Sequence, residues 1–131
     1  MYKSFTSEAG IFIPREALLK IKDYNKVAVL ITLINHSKRV GHNTFWLHLV
    51  KASELYPSET LAEQCCLTPY DLRIALKGIT TRDNTGVQSF FHTRKDTANR
   101  THFRINWAFF EKVFGAESYF VVLSKMERPW A

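Results

Sequence analysis

From Pro14 onward, apolar side chains recur at the spacing of a helix face. Ala17, Leu18 and Ile21 line one side of "PREALLKIK", and Pro14 suits a first helical position. Only an apolar "IFI" at 11–13 precedes them. A second, longer helix is predicted over 24–38, with Val27, Leu30, Ile31 and Ile34 as its main stripe and Val29 and Leu33 widening it. A helix that apolar is buried on two sides, either between other elements or in a dimer interface.

The pattern then shifts. A turn at 41–43 leads into an extended stretch through Phe45, Leu47 and Leu49, and "ELYPS" reads as a brief strand before a helix start. Ser58 is the predicted N-cap of "ETLAEQC", which turns Leu61, Ala62 and Cys65 inward. Thr68 followed by Pro69 is an N-cap with proline at N1, and it opens a helix over 68–79. "TTRDNTG" is dense in turn residues. "VQSFFHTR" and "THFRINW" then alternate as two strands around the polar tip "KDTANR". On the second strand Phe103, Ile105 and Trp107 share one face, and His102, Arg104 and Asn106 share the other. "AFFEKVFG" reads as a short helix ended by Gly115, and "SYFVVL" as a further strand or an apolar tail.

The predicted order is helix, helix, strand, helix, turn, helix, hairpin, helix. It implies an α+β fold: a winged helix-turn-helix with an additional N-terminal helix and a C-terminal helix/strand extension. One domain would span 1–131, with a core over about 24–107, an N-terminal extension over 1–23 and a C-terminal extension over 108–131.

Winding 69–79 at about 100° per residue puts Leu72, Ala75, Leu76 and Ile79 in one sector, ready to grip Leu61, Ala62 and Cys65. Tyr70, Arg73, Ile74 and Lys77 lie roughly opposite, a face with a phenol, two cations and no carboxylate. On an isolated helix that could be an ordinary solvated face. The hairpin changes the balance, because 82–104 carries Arg82, Arg94, Lys95, Arg100 and Arg104 against only Asp83 and Asp96. The whole chain has a formal charge of +6 over 131 residues, which favours an anionic partner.

Other chemistry finds little footing. The five histidines show no spacing that pairs them with Cys65 and Cys66 as a metal site, although His92 and His102 could face each other across the hairpin. The adjacent cysteines suit neither an ordinary disulfide nor a metal knuckle; Cys65 reads as a core residue. No phosphate-cradling glycine loop and no clustered carboxylates occur, so no catalysis, cofactor or metal is expected. Phe90, Phe91, Phe103 and Trp107 offer a minor option, a stacking platform for single strands, with one of Phe90 and Phe91 exposed. The opening "MYKSFTSEAG" lacks the apolar run of a secretory signal, and "VAVLITLI" at 27–34 is too short to span a bilayer. The expected setting is cytoplasmic, with no membrane contact.

"ELYPSETLAEQCCLTPYDLRIALKGI" resembles the winged-helix domains of phage and plasmid replication initiators and replisome organisers. Leu61, Ala62, Leu67, Thr68, Leu72, Arg73, Ala75, Leu76 and Ile79 match their pattern, and "FRINW" resembles the return strand of the wing. The likeness covers about 44–107 and is shared by transcription regulators. It departs at Cys66, where the pattern has glycine and a left-handed turn would be strained. It departs again at Gly78, which weakens the end of the helix, and at Ile74, an apolar residue on the polar face. The resemblance implies double-stranded DNA as partner, in replication initiation. Helix 68–79 would enter the major groove with Thr68 at its start and Tyr70, Arg73 and Lys77 on bases and backbone. Arg94, Lys95, Arg100 and Arg104 would hold phosphate or the adjacent minor groove. Two alternatives stay open. A transcriptional repressor would dimerise through helix 24–38 or the "SYFVVL" tail, to read half-sites about 34 Å apart. A protein-binding module, such as an inhibitor of a replication or host protein, would use the surface around Ile74.

Overall fold

The computed structural model describes residues 13–49, 60–98, 100–115 and Ser118. Among them are five α-helices and one four-stranded sheet, an α+β arrangement. Helix α1 spans Arg15–Ile21. Pro14 stands just outside it in extended backbone, as the N-cap rather than the first helical residue predicted. The next helix, α2, spans Tyr24–Val40, two residues past the predicted end. The Asp23 carboxylate accepts from the Lys26 amide (3.1 Å) at its start. At its other end Gly41 takes φ 78°, a left-handed conformation that glycine adopts without strain.

Val27, Val29, Leu30, Ile31, Leu33 and Ile34 are all buried. They are covered by α1 on one side and by the short helix α3 (Leu61–Cys65), α4 (Pro69–Ile79) and strand β1 (Thr44–Leu47) on the others. The apolar stripe offered in the sequence as a dimer surface is therefore occupied within the chain. The other offered surface, "SYFVVL", lies outside the described residues apart from Ser118.

Helix α3 is capped by Thr60, not Ser58. Thr60 Oγ1 accepts from the Glu63 amide (3.2 Å) while the Glu63 carboxylate accepts from the Thr60 amide (2.9 Å), a reciprocal capping box. Ser58 and the predicted strand at 54–58 lie outside the described residues. The expected extension to Leu49 stops at Leu47. The carbonyls of His48 and Leu49 instead accept from the amides of Leu61 and Ala62 (2.8 and 2.9 Å), which satisfies donors at the start of α3.

The sheet runs β1–β4–β3–β2, with β2 at Thr80–Arg82, β3 at Phe91–Lys95 and β4 at Thr101–Ile105. β4 is antiparallel to both neighbours, pairing Phe45 with Phe103 and Phe91 with Ile105. These four side chains and Leu47 are buried against the helices. β2 departs from the turn expected of "TTR": it lies parallel to β3, Thr80 beside Phe91 and Arg82 beside Thr93. A 3₁₀ turn at Asp83–Thr85 and an irregular stretch to Phe90 return the chain.

The second hairpin strand also ends earlier than expected. Asn106 leaves the strand to cap helix α5 (Trp107–Phe114), its side-chain carbonyl accepting from the Phe109 amide (3.2 Å). Trp107 is therefore helical, and its indole N–H donates to Asn43 (3.0 Å). Phe90 and Phe91 are both buried, contrary to the expectation that one is exposed; Phe90 sits 4.9 and 4.8 Å from the rings of Phe109 and Phe110. With Phe103 also buried, the imagined stacking platform is core. No described helix is long and apolar enough to cross a membrane.

Candidate functional site

Helix α4 forms as its sequence dictates. Thr68 Oγ1 accepts from the Asp71 amide (3.1 Å), Pro69 occupies the first turn without losing a bond, and Leu72, Ala75 and Ile79 are buried, with α4 packed against α2. Gly78 does not stop the helix, which runs on to Ile79. A Cβ there would collide with the Lys26 side chain, which crosses the helix at that point.

The turn from α3 into α4 is tight. Cys66 takes φ 57° and ψ 42°, and its amide donates to the carbonyls of Ala62 and Glu63. This is the left-handed position where glycine was expected, now held by an exposed side chain. Its neighbour Cys65 is buried, and burial pushes that thiol up to about 11.

Tyr70, Arg73, Ile74 and Lys77 share the outward face of α4, and all four are exposed, Ile74 at 44%. Thr68 is exposed too, its hydroxyl engaged in the cap. Among the described residues Arg73 and Lys77 meet no ion-pair partner.

The hairpin cations divide. Arg94 and Lys95 are exposed and likewise lack a partner among the described residues. Arg100 is held by Asp96, Nε to carboxylate 2.8 Å, with its guanidinium 4.8 Å from the Trp46 ring centre. Arg104 donates to Asp83 (2.8 Å). Asp96 also takes the amides of Ala98 and Arg100 (2.9 Å each) and meets His102 Nε2 at 2.8 Å. These contacts, the His102 bond first, hold its carboxyl well below the usual carboxylate range.

Arg82, counted in the basic segment but not placed at a site, joins this surface through the unforeseen strand. It lines an open cleft of about 430 Å³ with Asp83, Asn84, Thr93, Arg94 and Lys95. Beyond Arg82, β2 no longer covers β3, so Arg94 and Lys95 lie past its end. A smaller pocket of about 160 Å³ adjoins it on the sheet face turned from the helices. On that face His92 pairs across with Arg104 and Arg94 with His102, so the two histidines are offset rather than opposed. Among the described residues no three His, Cys, Asp or Glu side chains are placed to hold a metal ion. No protein-family model matches this chain, and neither a curated protein nor a solved structure does.

Proposed function

We propose that this chain binds double-stranded DNA as a winged helix-turn-helix protein. In this reading α3 and α4 are the helix-turn-helix and the β3–β4 hairpin is the wing. The observation that carries it is the set of uncommitted cations: Arg73 and Lys77 on α4, Arg82 beside the hairpin, and Arg94 and Lys95 on it, all exposed and unpaired among the described residues. A cation free of internal carboxylates can displace counterions from phosphate without first breaking a bond. Arg73 reads base edges in the major groove, Tyr70 and Lys77 flank it on the backbone, and Arg94 and Lys95 meet the neighbouring phosphates. Arg100 and Arg104 play a lesser part than their charge implies, since each is already paired. Replication initiation for a phage or plasmid is the proposed setting, and it rests on the sequence resemblance.

Fluorescence anisotropy with random duplex, matched single strand and heparin, titrated with salt, tests the reading. Micromolar duplex binding with a log–log salt slope of about −3 to −6 is expected. Absence of duplex binding at low salt sinks it. A second reading draws on Tyr70 and Ile74, exposed at 64% and 44% on the same helix face. Such a pair suits a protein partner, and loss of partner capture in Ile74→Asp with unchanged duplex affinity would favour it. A repressor differs from an initiator by a two-fold dimer, read by sedimentation.

A further inference from the structure

One donor on the outer sheet face has no use inside the molecule. His92 is 7% exposed, and its Nδ1 makes no hydrogen bond. Its tautomer follows from a neighbour. The side-chain oxygen of Asn106 accepts from the Phe109 amide (3.2 Å) as the cap of α5, which fixes the Asn106 amide so that its NH₂ group faces Gln88 (2.8 Å) and His92 Nε2 (3.2 Å). An NH₂ group donates, so Nε2 accepts and the ring proton resides on Nδ1. That N–H stops 3.9 Å from the Asp83 carboxylate, beyond hydrogen-bond reach. A buried donor without an acceptor costs free energy unless something outside the chain supplies one.

The surroundings say what that acceptor is. His92 lines the pocket of about 160 Å³ together with Thr44, Arg94, His102 and Arg104. The one carboxylate there, Asp83, has its charge taken up by Arg104 at 2.8 Å. Arg94 is left with no carboxylate, and it also borders the larger cleft, where Arg82 and Lys95 add two further cations. We infer that this pocket binds a phosphate group, with His92 Nδ1–H and the Arg94 guanidinium donating to its oxygens and Arg104 screening Asp83. Several charge-assisted donors converging on a small space suit a tetrahedral oxyanion better than a planar carboxylate. The phosphate comes either from a free nucleotide or from a nucleic-acid backbone lying over the sheet. Arg94 is shared with the proposed duplex surface, where Arg104 plays a lesser part, but His92 and Thr44 are not used there. The inference therefore stands beside that reading rather than on it.

The test follows the ring signals of His92 and His102 by NMR while inorganic phosphate is added at constant pH, with chloride at equal ionic strength as control. A saturable movement of the His92 signal with phosphate alone is expected. Arg94→Ala and Arg104→Ala, both exposed positions, should each weaken it by roughly tenfold. If the His92 signal stays still in phosphate, or moves as much in chloride, or if both arginine variants bind unchanged, the site does not exist. A 5′-mononucleotide and a short single strand then identify the source, tighter binding of the strand marking a backbone and of the mononucleotide a free nucleotide. Duplex binding by the same protein is measured separately, so loss of one activity leaves the other to stand or fall alone.

Discussion

Helix α4 and the β3–β4 hairpin are both basic, yet they deploy their cations differently. On α4 the two cations stand on a face whose opposite side is anchored by Leu72, Ala75 and Ile79, and no acid within the described residues claims them. In the hairpin, Asp96 gathers Arg100, His102 and two backbone amides at the tip, while Asp83 takes Arg104. Two of the four hairpin arginines and lysines are therefore paired within the chain, and two meet no ion-pair partner among the described residues. Charge counted along a sequence overstates charge available on a surface, and the difference is set by a few carboxylates.

Breaking the anchor of α4 should have the largest effect. Leu72 is 1% exposed, so Leu72→Ala should cost about 2–5 kcal/mol in chemical denaturation. The local bonds around Asp96 should survive, seen as unchanged exchange protection of the Ala98 and Arg100 amides under native conditions. Equal loss in both regions would mean that α4 and the hairpin are not separable units. The next effect is on binding. Arg73→Ala should weaken specific duplex affinity by about 1–3 kcal/mol and relax preference at one base position, read by site selection.

Acid separates α2, the helix against which α4 packs, from the hairpin. Burial, with Arg39 beside it, lowers His36 on α2 to about 4, against an ordinary value near 6.5. The unfolded chain then takes up a proton before the folded one does, so stability falls as pH drops from about 6.5 toward 4. After discounting for partial exposure the loss is on the order of 1–2 kcal/mol. Asp96 shifts downward, so its contribution is present above the ordinary carboxylate range and lost only below it. Thermal melts from pH 7 to 5 should therefore show destabilisation that His36→Gln flattens, while the Ala98 and Arg100 amides bonded to Asp96 keep their exchange protection. A hairpin that loosens first would overturn the assignment.

The two regions were unequally legible in the sequence. Helix α4 could be read because Thr68, Pro69 and the 3.6-residue stripe are all local signals, and its inward and outward residues fell where the pattern placed them. α2 was legible for the same reason. What escaped depended on partners distant in sequence. "TTR" carries no strand pattern of its own, and only pairing with β3 makes it one, which is why Arg82 was never placed beside Arg94. Asn106 and Trp107 continued the alternation of the strand, but an asparagine that caps a helix leaves no mark in a period-two pattern. The buried Nδ1 of His92 was invisible because its tautomer is fixed by a cap fourteen residues further along. Ser58 gave way to Thr60 because the capping box with Glu63 satisfies two donors at once.

The smallest effects sharpen the contrast most directly. Lys95→Ala should reduce the salt slope of duplex binding by about one unit, whereas Arg100→Ala should leave it nearly unchanged. Arg100 must release Asp96 before it can neutralise a phosphate, so its removal should appear as faster amide exchange at the tip instead. Equal slopes for the two variants would abolish the distinction between committed and available cations. Least of all, Cys66→Gly should raise stability slightly, by about 0.5–1 kcal/mol, since a left-handed conformation strains any side chain and glycine carries none. Greater freedom of glycine in the unfolded chain offsets part of that gain. Because Cys66 is exposed and leads through Leu67 into the Thr68 cap, the substitution should leave α4 and its duplex affinity as they are. A change in affinity larger than the change in stability would mean that the turn itself touches the ligand.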